Sequence, residues 1–370
     1  MKIENIELHH TKMELVSPFE TSLGVELYEE HIMVRIDSEG LSGWGEVVVE
    51  PSPSYSSETL TTAWHVLSDF IIPSLLGKNF PDLQSALNQF AWIRGHRMAR
   101  AGVEAALADA FAKSKGIPLS QFLGGTRKRV PVGVSVGLQA SPEKLVDVIG
   151  AYLDDGYKRI KIKIAPGRDI TLVQAVRKAY PHIILQVDAN SAFTLEDAPM
   201  LKELDNYNLQ LIEQPLGYDD IFEHSILQKQ LKTAICLDES IRNLSDTKVA
   251  LALGSCKNIN IKPGRTGGYT EAIKIHDYCA SMGIPVWHGG MDESGIARGG
   301  NVALASLPNF SLHGDISASK RYYKKDIVIP EFSINKEDST MSVPDKPGIG
   351  VEIDFKELEK VTVKKASFSP

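Results

Sequence analysis

The sequence predicts an α/β fold: a (β/α)8-type barrel of the modified TIM kind, with an N-terminal α+β capping domain that the C-terminal tail completes. Three observations predict it. Charged residues close short apolar runs at a near-constant interval: Lys163, Asp188, Glu213 and Asp238 stand 25 residues apart, and Lys262 follows after 24. One apolar strand plus one helical segment per interval is what repeated βα units produce. From Val130 onward, eight strand candidates are separated mostly by helical segments without a long interruption, which favours a closed ring over an open sheet. Residues 1–125, ahead of this periodic part, have a different character.

In chain order, Ile3 to Leu15 roughly alternates, and His31–Ile36 with Gly43–Val49 suggests an antiparallel meander. Residues 17–24 form a Pro- and Gly-bounded loop with Phe19 near its tip. A lid is one reading, and an ordinary hairpin connection is the one the sequence by itself favours. Glu58–Leu76, Asp82–Trp92 and Ala99–Lys115 show helical spacing, with Gly116 as a stop, and Leu123-Gly124-Gly125-Thr126 breaks the pattern. The barrel then takes residues 126–323. Its strands are expected at Val130–Val136, Arg159–Ile164, Ile183–Asp188, Leu209–Glu213, Ala234–Asp238, Asn258–Lys262, Pro285–His288 and Phe310–Asp315. Helices are expected at Ser141–Asp155, Ile170–Ala179, Thr194–Leu204, Ile221–Leu231, Ser245–Leu253 and Gly267–Met282, and a seventh starts near Glu293. Residues 324–370 are irregular and polar, a tail expected to pack back onto the first domain.

Composition excludes several classes of function. A chain of 370 residues that is 43% hydrophobic buries a sizeable core. Its net charge of −7, with acids and bases well mixed, argues against a nucleic-acid or anionic-membrane partner. No apolar run approaches transmembrane length, and the first residues lack a signal-peptide pattern. The three cysteines, Cys236, Cys256 and Cys279, fit neither a disulfide framework nor a CxxC metal site. A soluble, cytoplasmic protein is expected.

Parallel strands align their carboxyl ends, so Lys163, Asp188, Glu213, Asp238 and Lys262 are expected on one rim of the barrel, where catalytic residues of this architecture gather. Any one of the three acids alone reads as a helix cap or turn residue. Three of them on three consecutive strand ends read as ligands. An all-oxygen set suits Mg²⁺, with Mn²⁺ able to substitute, and disfavours zinc. Lys161 and Lys163 are two apart on one strand and share a face. Repulsion and desolvation are expected to depress the pKa of at least one lysine there. Lys163 on the second strand and Lys262 on the sixth lie opposite each other in an eight-membered ring, with the acids on the arc between. This suits removal of a proton next to a carboxylate, the metal stabilising the enediolate. Two bases on opposite faces permit racemisation, whereas one base and a departing hydroxyl give elimination. A barrel that only binds a dicarboxylate has no need of opposed bases.

The set Lys-x-Lys at 161–163, Asp-Ala-Asn at 188–190, Ile-Glu-Gln-Pro at 212–215, Asp-Glu-Ser at 238–240 and Asn-Ile-Lys-Pro at 260–263 resembles the enolase superfamily in its muconate-lactonising subgroup. Segments 260–268, 287–296 and 314–319 are similar to the o-succinylbenzoate synthase / N-succinylamino acid racemase family. Dipeptide epimerases typically carry Asp-x-Asp at the end of the eighth strand, where this chain has Asp315-Ile316-Ser317. The resemblance implies Mg²⁺ on Asp188, Glu213 and Asp238, with the Lys or His base and ene-diolate chemistry of that superfamily. It implies Lys163 as the base and Lys161 as the group orienting the substrate carboxylate. Lys262 becomes the second base, or a cation over the ring in a syn-type dehydration. Asn190, Ser135, Arg265, Gly289, Gly290, Met291 and Ser317 become substrate contacts, and Phe19, with Thr21 and Ser22, part of a lid. The implied substrate is a small carboxylate bearing a succinyl group, and the implied assembly a homo-oligomer. The implied activity is dehydration in menaquinone synthesis, with N-acylamino acid racemisation as the alternative.

Overall fold

In the computed structural model, which describes residues 1–370, the chain begins as three long antiparallel strands: β1 (Asn5–Thr21), β2 (Gly24–Ser38) and β3 (Leu41–Val47). The strand Thr362–Phe368 adds to the outer side of β1, giving the order Thr362–Phe368, β1, β2, β3. On this sheet lies the helix Arg97–Ser114, buried along most of its length. The segment Gly43-Trp44-Gly45 makes that seat possible. A Cβ at Gly43 would overlap the Ala106 carbonyl oxygen, and one at Gly45 the carbonyl of Gly102. Glycine lets the helix backbone approach the strand directly.

β1 and β2 run further than the alternation predicts. The expected loop 17–24 is the end of a hairpin whose strands stay paired to Thr21 and Gly24, with an irregularity between Glu14 and Phe19. The expected helix 58–76 forms as Leu60–Val66 and Ile72–Leu75, joined by a π-helical stretch at Leu67–Ile71.

A short strand β4 (Arg129–Pro131) opens the second part, followed by seven parallel strands. They are β5 (Val134–Val136), β6 (Arg159–Lys163), β7 (Ile184–Asp188), β8 (Ile212–Glu213), β9 (Ile235–Leu237), β10 (Asn258–Ile261) and β11 (Val286–His288), in that spatial order. Val130–Val136, expected as one strand, is therefore two. Val130 pairs with Met341 of the tail, and at Gly133 a Cβ would meet the Arg159 guanidinium.

The expected eighth strand, Phe310–Asp315, closes the ring without becoming regular. Gly133 donates to Gly314 O at 2.8 Å, Gly314 to Pro131 O at 3.0 Å, and Asp315 to His288 O at 2.8 Å. Arginines occupy other carbonyls of this segment: Arg159 donates to His313 O and Arg127 to Phe310 O. Those acceptors are lost to a regular ladder.

The tail is shared between the two parts rather than packing on the first alone. Thr340–Ser342 pairs with β4, and Ile327, Val328, Met341, Ile349 and Leu358 join the barrel core. These are apolar positions that a reading of the region as polar overlooks. No helix is long and apolar enough to cross a membrane.

Because β3 and the Arg97–Ser114 helix touch through backbone at Gly45, Gly45→Ala is expected to destabilise the fold by about 1–3 kcal/mol, the usual cost of overpacking. Urea unfolding checks this, and an unchanged midpoint would show that the two elements can move apart.

Candidate active site

Along β6, Arg159, Lys161 and Lys163 point into the ring, while Ile160 and Ile162 pack in the hydrophobic core under the helices. This two-residue alternation puts three cations in successive layers of the interior. Each finds carboxylates. Arg159 Nη1 is 2.6 Å from Asp315 Oδ1. Lys161 Nζ reaches Glu213 Oε2 at 2.6 Å, Asp315 Oδ2 at 2.6 Å and Asp188 Oδ2 at 3.1 Å, above the Trp287 ring. Lys163 Nζ donates to Asp188 Oδ2 at 2.7 Å and to Asn190 Oδ1 at 2.6 Å.

On the far side, Lys262 follows β10 and lies 2.8 Å from Asp238 Oδ2. Its Nζ also donates to Tyr55 Oη at 3.1 Å, and Tyr55 in turn donates to Asp238 Oδ1 at 3.0 Å. The strand ends are locked to one another. Gln214, after β8, accepts from Asp238 N at 3.0 Å and donates to Ser240 Oγ at 2.6 Å. Asn190, at φ +43°, bends back so that its own N–H meets Asp188 Oδ1 at 3.0 Å. Asparagine tolerates that left-handed conformation better than most residues.

Lys161, Lys163, Asp188 and Lys262 line one cavity, open at its mouth. Phe19, Thr21, Ser135, Asn190, Gly290 and Met291 line the same space, and the Ser135 Oγ has no partner there. Ser22 ties the hairpin tip to the barrel, donating to Ala189 O and Asn190 O at 3.1 and 3.2 Å.

Three residues expected as substrate contacts lie elsewhere. Arg265 is behind Asp238, its guanidinium spent on Asp238 Oδ1 and on the Ile241 and Asn260 carbonyls. Ser317 is buried and donates to Gly133 O at 3.0 Å. Gly289 packs against Asn260 and Lys262, with no room for a Cβ. All three shape the wall from outside.

Sequence reasoning missed Tyr55, Asp315 and Asn260, which donates to Glu213 Oε1 at 2.6 Å. Asp315 was visible at a strand end, but its ion pairs cross the ring. Tyr55 comes from the serine-rich loop after β3, and no pattern marks it.

Lys161 is not depressed by its neighbouring lysine. Burial alone would lower the Lys161 ammonium, but Asp315, Glu213 and Asp188 override it and hold it above the usual lysine range. Burial likewise opposes Lys262, which Tyr55, Glu213 and Glu239 hold up. Carboxylates outweigh the repulsion between lysines, so neither ammonium is depressed among the chain's own charges. Asp188, despite burial, is held low by Lys163 and Lys161. Glu213 is pushed up by burial and by Asp188, because one ammonium serves three carboxylates. Asp238 Oδ2 has an ion pair but no hydrogen bond of good geometry. Three acids at no more than 1% exposure, on three consecutive strand ends, fit a divalent cation held by oxygen.

Residues 3–124 match the family described as mandelate racemase / muconate lactonizing enzyme, N-terminal domain, and residues 144–358 the one described as enolase C-terminal domain-like. The chain is 49% identical to the o-succinylbenzoate synthase of Bacillus subtilis, over 100% of this chain and 99% of that protein. It is 46% identical to the N-succinylamino acid racemase of an Amycolatopsis species, over 99% of each. Its fold matches a solved enolase-superfamily structure from Listeria innocua with a TM-score of 0.95 at 43% identity, covering 100% of this chain and 99% of that one.

Mg²⁺ or Mn²⁺ is expected to raise the unfolding temperature by several degrees, since a ligand at a hundred times its dissociation constant stabilises by about 2.7 kcal/mol. The shift should vanish with EDTA or on Asp238→Asn. A shift that survives Asp238→Asn would move the ion to other ligands.

Proposed function

The chain belongs to the enolase superfamily, in its mandelate racemase / muconate lactonizing group, and on that premise we propose that it is an o-succinylbenzoate synthase. It converts 2-succinyl-6-hydroxy-2,4-cyclohexadiene-1-carboxylate to 2-succinylbenzoate and water, a step of menaquinone synthesis. The observation that carries this reading is a single cavity in which Lys163 and Lys262 stand at the ends of β6 and β10, four positions apart in the ring, with the acids on the strands between.

Asp188, Glu213 and Asp238 would hold Mg²⁺, or Mn²⁺ in its place. When bound, the cation would supply positive charge against the substrate carboxylate. The neutral amine of Lys163 takes the proton from the carbon bearing the carboxylate. The electron pair of that C–H bond moves toward the carboxylate, where Lys161 adds a second cation. As the pair returns, the bond to the 6-hydroxyl breaks and the ring becomes aromatic. The ammonium of Lys163, on the same face, gives its proton to the departing oxygen. Lys262 lies over the ring from the other wall, steadied by Tyr55 and Asp238. Phe19 and the hairpin tip cover part of this space.

Racemisation of N-succinylamino acids is the second reading. The opposed lysines favour it, because removal by one and return by the other inverts the carbon between them. Dipeptide epimerisation fits less well: at the eighth position Asp315 is engaged with Arg159 and Lys161, and Ser317 stands where a second acid is typical. The buried, unpaired thiols of Cys236, Cys256 and Cys279 suit a reducing, cytoplasmic setting.

Purified protein should dehydrate the cyclohexadiene substrate with the higher kcat/KM and racemise N-succinylamino acids with the lower. The reverse ranking would make the racemase the principal activity. Lys163→Ala should lower dehydration at least about 10³-fold, within the range for loss of a general base, with the fold intact by circular dichroism. In D₂O, Lys262→Ala should abolish α-deuterium exchange for one enantiomer of an N-succinylamino acid and spare it for the other. Loss of both would place the two lysines on one face.

A further inference from the structure

Lys262 stands on backbone that the first domain holds, and Lys163 does not. Lys163 lies within β6, which barrel strands pair on both sides, and its Nζ is fixed by Asp188 and Asn190. The first domain meets that side at the hairpin tip, through side chains such as Phe19 and Ser22. Lys262 follows the last residue of β10 and starts a tight turn. Its carbonyl accepts from Thr266 N at 3.0 Å and from Thr266 Oγ1 at 3.2 Å. Pro263 O accepts from Gly267 N and Gly268 N, both at 2.9 Å. This turn is buried at Pro263–Thr266 and leads straight into the helix Tyr269–Ser281.

That helix has no cap of its own. Its N-cap residue is Gly268, and no side chain of the turn accepts from the first N–H groups, which need an acceptor. The acceptor comes from Glu104, on the helix Arg97–Ser114 of the first domain. Glu104 Oε1 accepts from Thr270 N at 2.7 Å and from Thr270 Oγ1 at 2.6 Å. Its other oxygen takes the space of the missing side chain: a Cβ on Gly268 would lie 1.8 Å from Glu104 Oε2. Gly268 has φ +123°, a conformation open to glycine. Gly264 makes a similar close approach, since a Cβ there would lie 2.6 Å from Val48 Cγ2, just after β3. Glu104 is buried, and both Thr270 donors converge on one of its oxygens, a demand that a neutral carboxamide also meets.

We propose that Glu104 is a positioning residue for Lys262: it ties the turn 263–268 to the first domain, so that the seating of that domain sets the aim of one base and not of the other. The proposal rests on the reading of Lys163 and Lys262 as bases on opposite faces. Only the buried turn separates Lys262 from the seat of Glu104, and its internal hydrogen bonds leave it little freedom to absorb a shift. Proton transfer is sensitive to such shifts, a misplacement of about 1 Å costing about 10²-fold. Two contacts of the first domain therefore bear on Lys262, Tyr55 at its ammonium and Glu104 at the backbone that follows it.

The test follows α-deuterium exchange of N-succinyl-L-norleucine and N-succinyl-D-norleucine in D₂O with the Mg²⁺-loaded enzyme. Lys262→Ala identifies the enantiomer that Lys262 serves. For that enantiomer Glu104→Ala should lower kcat at least about tenfold with KM held within about twofold, and the other enantiomer should change by less than about twofold. Glu104→Gln, which keeps an acceptor for Thr270, should recover most of the loss. Thr270→Val removes one of the two donors and spares the acid. It should show the same selectivity at smaller size, so the proposal is tested even where Glu104→Ala does not fold. Equal loss for both enantiomers, loss for neither, or no recovery in Glu104→Gln would overturn the positioning role while Lys262→Ala still shows opposed bases. If the wild type exchanges neither enantiomer, or Lys262→Ala affects both alike, the opposed-base reading falls and this proposal with it.

Discussion

Charge balance at the open end of the barrel constrains everything around it. Asp188, Glu213, Asp238 and Asp315 are buried, and so are Arg159, Lys161, Lys163, Lys262 and Arg265. None of these groups can be left alone, because an unpaired buried charge costs several kcal/mol, roughly 3–5 when one partner of a pair is removed. The ring geometry brings them close enough to satisfy one another. A ligand entering that network has to take the place of one of these partners.

Local features of the chain serve that network. The alternation on β6 delivers its cations in layers, and Gln214 couples the ends of β8 and β9. Arg265 and Ser317 work from behind the wall, Arg265 by holding Asp238 and Ser317 by holding the Gly133 turn. The N-terminal sheet contributes directly, through Tyr55 against Lys262 and Phe19 over Lys163. Joining of the tail strand to β1 couples the two ends of the chain in the same sheet. Glu26 and Glu29 show that this sheet also brings charge to the cavity.

The barrel and the position of its charged strand ends were legible because strand and helix impose their own periods. Lys163, Asp188, Glu213, Asp238 and Lys262 fall on a regular interval, and that interval is the βα unit itself. What was not legible depends on contacts distant in sequence. Tyr55 meets Asp238 across 183 residues, and nothing near Tyr55 announces it. Asp315 ends an irregular segment whose carbonyls are taken by arginines, so its alternation is broken. The rise at Lys161 was not legible, because two lysines on one strand suggest repulsion and the acids that hold it up come from three other parts of the ring. Glycine and serine motifs after β11 pointed to the right region but could not separate residues facing the cavity, such as Gly290, from those packed behind it, such as Gly289.

The most direct measurement is a crystal structure with Mn²⁺ and 2-succinylbenzoate, the ion located by its anomalous signal. The account predicts one ion held by Asp188, Glu213 and Asp238, with the Nζ atoms of Lys163 and Lys262 on opposite faces of the product. An ion bound away from those three acids, or both lysines on one face, would contradict it.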